Sequence, residues 1–438
     1  MALSGIQIYK LLPQTNCKEC GFPTCLAFAM KLAAKQVELT GCPYVREESK
    51  IQLAESAAPP IRLISIKSPG YEVKSGNEVV LFRHEKTFIN KPGIFIKIQD
   101  TEPIEKIQEK VVKINDYVVN YVGIQLKLDG FALVSVTSDP HKYSQLIQKV
   151  REVSQKPFIL VTSESTVAEA GLKEIPGESP LLSGASHSNF EEMSRLAKQY
   201  KVPLAVMATS LVELSDLAEK VKNLGVEDIV LDSVGRDLSS NLMFNTQIRR
   251  LALKKGFRSL GYPLIAFPPT PEAAVQAIIK YSGFIVLNDF TPATVYPLLV
   301  LRENIYTDPQ KPIQVQPGVY EINKPGPQSP VLVTTNFSIT YFSVANEIES
   351  SGLPAWLVVA DAEGMSVLTA WAAGKFDAER IAKSIKTFNL AERVSRKLLV
   401  LPGHVAVLSG EVESELPNWE VRVGPREAVD IPKFLKLI

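Results

Sequence analysis

No apolar run in this chain approaches the roughly 18 residues that cross a bilayer, and the N-terminus, with Lys10 early and no extended apolar core, does not read as a secretory signal. A cytoplasmic protein without membrane spans is expected. An excess of either charge is also missing: 48 Lys and Arg stand against 47 Asp and Glu, which leaves no electrostatic footprint for nucleic acid or an anionic surface. The phosphate-cradling patterns GxGxxG and GxxxxGK[ST] are absent, so no motif implies a dinucleotide or ATP. Histidine is scarce, and His84, His141 and His187 stand isolated, outside any motif. Beyond residue 42 there is no cysteine at all.

What is present is therefore concentrated. Cys17, Cys20, Cys25 and Cys42 all fall in the first tenth of the chain, which in a reducing compartment argues for metal ligation over disulfides. Four soft thiolates suit an iron-sulfur cluster or tetrahedral zinc. Zinc sites usually pair two CxxC knuckles; here the third cysteine follows the second after four residues, and Pro43 directly follows the fourth, as in many ferredoxin runs. The spacing favours the cluster. Pro23 and Thr24 read as a helix start, with Leu26, Ala29, Met30 and Ala33 as its apolar face, which would aim the positive end of a helix at an anionic centre.

At 438 residues the chain exceeds a single core, and the length suggests about three domains. Residues 1–58 read as a cysteine module with a charged, Ala-rich tether at 46–58. Strand-like alternation over 61–98, including Ile94, Ile96 and Ile98, reads as a β-rich lead-in. Apolar strands then recur at 131–136, 158–161, 204–207, 229–231, 264–266 and 284–287 with amphipathic helices between them. This alternation predicts an α/β domain over 59–310, a (β/α)8 TIM-like barrel, with one less obvious strand near 179–183. Six prolines between Thr307 and Pro330 fix too many φ angles for a central strand or helix, so 311–330 is expected to be a linker. Over 331–438 the pattern restarts with strands at 331–334, 356–360, 398–401, 405–408 and 421–423, a small Rossmann-like doubly wound domain. Its strand-end loops, 334–338, 361–369 and 402–404, should converge where open α/β sheets bind ligands. Small apolar residues over 366–373 serve helix-sheet packing equally well.

These segments resemble the large (gamma) subunit of the corrinoid/iron-sulfur protein of the reductive acetyl-CoA (Wood-Ljungdahl) pathway of anaerobic carbon fixation. The resemblance spans essentially the whole chain. It is carried by the opening GIQIYKLLP from Gly5, by NCKECGFPTCLAFAM from Asn16, by GCPY from Gly41, by SVLTA from Ser366 and by LPGH from Leu401. It implies a four-iron four-sulfur cluster on Cys17, Cys20, Cys25 and Cys42, a central barrel, and a C-terminal domain that holds cobalamin or a related corrinoid. The implied corrinoid contacts are Thr335, Asn336, Phe337, Ser338, Thr340, Met365, Ser366, Val367, Leu368, Thr369, Ala370 and Gly403, with Thr369 beneath the cobalt. His404 is not expected to be an axial ligand, because the DxHxxG pattern is absent and Pro402 stands where its Asp would be.

The resemblance further implies a methyl carrier and not a complete enzyme. Reduced cobalt would take a methyl group from methyltetrahydrofolate held by a separate methyltransferase and deliver it to the nickel-iron-sulfur cluster of CO dehydrogenase/acetyl-CoA synthase. The chain's own cluster would return the electron that cobalt occasionally loses, and the Pro-rich segment would let the corrinoid domain swing. The implied partners are a small subunit, making a heterodimer, the methyltransferase, the synthase and a reductive activator. Two other readings stand beside this one. The barrel itself could be a pterin-binding methyltransferase through Asp232, Asn288 and Asp289, or the chain could be a cluster-bearing electron-transfer subunit without corrinoid.

Overall fold

The computed structural model describes residues 4–34, 36–50, 53, 59–121, 124–232, 237–308 and 313–438. Most of the tether at 46–58 lies outside the described residues, as do Pro309 and Pro312. The chain divides into two compact units, one of Met1–Val118 with Lys127–Tyr306 and one of Val119–Leu126 with Thr307–Ile438. Among the described residues no helix is long and apolar enough to cross a membrane.

The first unit opens with two short helices, α1 (Gly5–Leu11) and α2 (Cys25–Ala33). Ser4 and Gln7 close a capping box on α1, and the Thr24 hydroxyl accepts the Ala27 N–H at the start of α2, so the helix begins where the Pro-Thr pair placed it. The buried face of α2 is Cys25, Phe28 and Ala29. This corrects the expected stripe: Leu26 and Met30 are exposed at 43% and 56%, because the helix turns its cysteine side, and not its most apolar side, toward the small core of Ile8, Leu12, Phe28 and Val45.

A hairpin of β1 (Ile64–Ser68) and β2 (Tyr71–Ser75) precedes the barrel. The closed barrel runs, in chain order, β3 (Gly93–Gln99), β6 (Gly130–Val134), β7 (Phe158–Val161), β8 (Leu181–Ala185), β9 (Leu204–Met207), β10 (Ile229–Asp232), β11 (Leu264–Ala266) and β12 (Ser282–Leu287), all parallel, with β12 pairing back on β3. Between β3 and β6 the chain forms a second hairpin, β4 (Val119–Tyr121) and β5 (Ile124–Leu126). Each barrel strand is buried on both faces by interior side chains and surrounding helices, which is why it reads as an apolar run in sequence. Phe95, Ala132, Ile159, Leu181, Ala205, Val230, Ile265 and Phe284 fill the interior, and Ile64 and Ile66 of the first hairpin pack into the same core. The β-rich lead-in is thus shorter than expected. Ile94, Ile96 and Ile98 belong to the first barrel strand, and the strand sought at 179–183 is Leu181–Ala185.

In the second unit a five-stranded sheet has the order β13 (Gly318–Ile322), β15 (Ala355–Ala360), β14 (Val331–Thr335), β16 (Leu398–Leu401) and β17 (Glu420–Val423). β13 is antiparallel and the others are parallel. Residues 311–330 are therefore not simply a linker. Pro317 and Pro325 flank Gly318–Ile322 without entering it, and at a sheet edge the donors lost to proline are not needed. The strand expected at 405–408 is instead a 3-10 turn, Gly403–Leu408. Val405 and Leu408 are buried while Val407 is 71% exposed, a three-residue spacing that strand alternation cannot produce. Helices α3 (Ser338–Ser351) and α4 (Val367–Ala372) start from the loops that follow β14 and β15.

Candidate functional site

The cysteine loop is wound by left-handed residues. Gln14, Asn16 and Lys18 have φ of 58°, 50° and 67°, and Gly21 has 81°. This winding returns the chain onto the start of α2, where Asn16 donates its N–H to the Cys25 Sγ at 3.4 Å and accepts the Cys25 N–H on its Oδ1 at 2.8 Å. All four thiols are free; Cys17 is exposed, Cys20 half-buried, Cys25 and Cys42 buried. Burial pushes the Cys42 thiol above its ordinary value, the Tyr44 backbone opposes this, and the other three thiols push the same way as burial. Cys25 and Cys42 are buried in one small core, against which Cys20 packs. Among the described residues, however, no three thiol, imidazole or carboxylate groups close on a single metal ion.

In the second unit a cavity of about 280 Å³ lies against the C-terminal ends of β14 and β16. Thr334, Thr340, Val344, Ser366, His404 and Arg426 stand in its wall, over an apolar floor that includes Leu332, Val400 and Ile431. The Thr334 and Thr335 hydroxyl oxygens are fully buried and have no hydrogen-bond partner among the described residues. Such a group costs about 1–3 kcal/mol unless something pairs with it.

Of the residues read from the sequence, Thr340, Ser366, Val367 and Leu368 line this cavity. Thr335 is buried one position beyond Thr334. Asn336 does not face the cavity: its Oδ1 accepts the N–H groups of Ala362 and Gly364, and its Nδ2 donates to Gln314 and Asp361. Phe337 is the N-cap of α3 and Ser338 its first residue. Met365 packs on the core beneath, in which Ala370 is fully buried. Thr369 is exposed, its hydroxyl 3.0 Å from that of Ser366. Gly403 is buried where a Cβ would come within 2.6 Å of the Gly424 carbonyl oxygen, so its role is to press two loops together while Pro402 and His404 reach the cavity. The opposite wall, Gly424, Pro425 and Arg426, was missed; a Gly-Pro pair directly after a strand was the available signal.

Asn288 accepts a hydrogen bond from Lys97 of β3 at 2.7 Å, Asp232 is buried, and the Asp289 side chain is 74% exposed.

The molecule is thus a (β/α)8 barrel protein with a four-thiol module ahead of the barrel and a small α/β domain carrying a strand-end cavity. Residues 64–435 match the family described as CO dehydrogenase/acetyl-CoA synthase delta subunit, and residues 12–44 match a putative Fe-S cluster family. The chain is 42% identical to the corrinoid/iron-sulfur protein large subunit of Moorella thermoacetica, over 100% of this chain and 99% of that one. It is 36% identical to the acetyl-CoA decarbonylase/synthase complex subunit gamma of Archaeoglobus fulgidus, over 99% and 98%. The chain belongs to the family of corrinoid/iron-sulfur protein large subunits of the acetyl-CoA pathway. Among solved structures, 7,8-dihydropteroate synthase from Vibrio fischeri aligns over 56% of this chain and 100% of its own, at 15% identity and a TM-score of 0.40, a likeness too weak to bear on chemistry.

Proposed function

We propose that this chain is a methyl carrier, with a corrinoid at the C-terminal cavity and a four-iron four-sulfur cluster on Cys17, Cys20, Cys25 and Cys42. The observation that carries the reading is the buried, unpartnered Thr334 hydroxyl in the wall of a strand-end cavity. A ligand with a polar group there removes the cost of that hydroxyl, and a cavity of this size takes one arm of a large ligand. Exposed Ile339, Leu368 and Trp371 add apolar surface of the kind a macrocycle covers. Four free thiols at this spacing, with Pro43 directly after the fourth, suit a cluster, in which each thiolate binds a different iron, better than one zinc.

A bound corrinoid supplies a cobalt centre that takes up and hands on a methyl group, and the cluster supplies single electrons. The chain's own residues bind and orient. Thr334 and Thr340 offer hydroxyls, Arg426 offers a cation to an anionic group of the ligand, and Asn336 holds the loops after β14 and β15 together. His404 stands in the wall without the Asp partner of His-ligated corrinoid domains and serves as a wall residue, not a cobalt ligand. The partners of such a carrier are a small subunit in a heterodimer, a methyltetrahydrofolate methyltransferase, CO dehydrogenase/acetyl-CoA synthase and a reductive activator, all in the cytoplasm.

Metal analysis with an optical spectrum, on protein produced anaerobically with its small subunit, tests the assignment. Iron at about four per chain with cobalt at about one supports it. Iron without cobalt makes the chain an electron-transfer subunit, and zinc alone contradicts both assignments.

A further inference from the structure

We infer that Asn16 is a positioning residue for the iron-sulfur centre: it pins the Cys25 ligand at two points and raises the potential at which the centre takes up an electron. This rests on the reading of the four thiols as cluster ligands. Cys25 is buried at the first position of α2, so its N–H is one of the donors a helix start leaves without an internal partner. The Asn16 Oδ1 takes that N–H at 2.8 Å, while the Asn16 N–H reaches the Cys25 Sγ at 3.4 Å. One residue thus fixes both the backbone and the sulfur of one ligand.

The arrangement requires the left-handed conformation of Asn16, φ 50°, with Gln14 and Lys18 left-handed on either side. Asparagine adopts that region more readily than other residues with a Cβ, and it alone combines this with a neutral carbonyl short enough to cap the neighbouring helix. Electrostatics set the sign of the effect. An electron added to the cluster increases the negative charge on its sulfurs, so an N–H donor at a ligand sulfur stabilises the reduced state more than the oxidised one. Removing that donor makes reduction harder.

The test compares wild type, Asn16→Gly and Asn16→Val as full-length chains with the small subunit, measuring iron per chain and the midpoint of an EPR-monitored titration with an added reductant. Glycine permits the left-handed backbone but lacks the carbonyl that anchors Asn16 to the start of α2, so its N–H is no longer held at the Cys25 Sγ and that contact weakens; valine opposes positive φ and loses both contacts. The expected order of midpoints is wild type, then Asn16→Gly, then Asn16→Val. At a fixed potential the ratio of reduced to oxidised centre falls severalfold in the glycine variant and about tenfold in the valine variant, and tenfold is about 59 mV for one electron. A wild-type midpoint in Asn16→Gly overturns the inference, as does one in an Asn16→Val protein that keeps its iron. Loss of iron from Asn16→Val alongside a lowered midpoint in Asn16→Gly supports it. Absence of any iron-sulfur signal from wild type is a separate outcome, which removes the cluster reading itself.

Discussion

The side-chain oxygen of Asn336 accepts the backbone N–H of Gly364 at 3.0 Å, joining the loop after β14 to the loop after β15. The same oxygen takes the Ala362 N–H at 2.9 Å, and Asn336 is 1% exposed. Gly364 needs to be glycine, since it has φ 75° and a Cβ would come within 2.6 Å of Gln314. Asn336→Ala strands two buried N–H groups and is expected to destabilise the second unit by about 2–4 kcal/mol. Asn336→Asp is expected to destabilise it as well, because it keeps the acceptor but sets a carboxylate beside Asp361. Urea unfolding of the cofactor-free protein checks both.

Thr334→Val separates stability from ligand retention. Valine has nearly the same shape and removes a buried hydroxyl that has no partner among the described residues, so cofactor-free stability is expected to stay level or rise by up to about 1 kcal/mol. If the hydroxyl meets the corrinoid, cobalt retained through gel filtration falls. The two measurements move in opposite directions, which a packing defect would not produce.

Lys156 carries a pH dependence. It is 7% exposed, its amino group has no hydrogen-bond partner among the described residues, and burial pushes its pKa below the ordinary 10.5, opposed by Asp129. The unfolded chain therefore holds the proton more tightly than the folded one. This contribution to stability rises with pH from the depressed value toward 10.5 and is lost as the pH falls. Lys156→Met is expected to be more stable than wild type at pH 7, with the gap narrowing toward pH 10 in denaturant titrations.

The second hairpin offers a test of the division into two units. Val119–Leu126 lies between barrel elements in sequence but belongs to the second unit, where Tyr121 packs on the core of Val315, Leu332, Ile348 and Leu357. Tyr121→Ala is expected to cost about 1–2 kcal/mol, and in hydrogen exchange the loss of protection should fall on the second unit's strands and spare the barrel's.

How much of this was legible follows from where burial and sequence agree. The start of α2 was readable because Pro23 and Thr24 are local signals, and the barrel because strands buried on both faces are apolar throughout. β3 was misplaced because Lys97 faces the barrel interior and bonds Asn288, which gave a core strand the look of a half-solvated one. β13 was hidden by its flanking prolines, and Ala378–Thr387 went unread although Ile381, Ala382 and Ile385 mark its buried face. In the cavity, sequence located the loops after β14, β15 and β16 and, with Thr340, Ser366, Val367 and Leu368, part of the lining. It did not separate Asn336 and Ala370, which turn to backbone and core, from the residues that face inward, and Arg426 comes from an unsuspected loop.

The central claim, that this chain carries a methyl group at its C-terminal cavity, is tested most directly with isotopically labelled methyltetrahydrofolate and its methyltransferase. Wild type and Val344→Phe, which fills the cavity, are each isolated from the mixture and then exposed to CO dehydrogenase/acetyl-CoA synthase. The expected result is label on the wild-type chain that passes to the synthase, with neither label nor cobalt on the filled variant. Cobalt-loaded wild type that never acquires the label, or a filled variant that acquires it normally, would contradict the account.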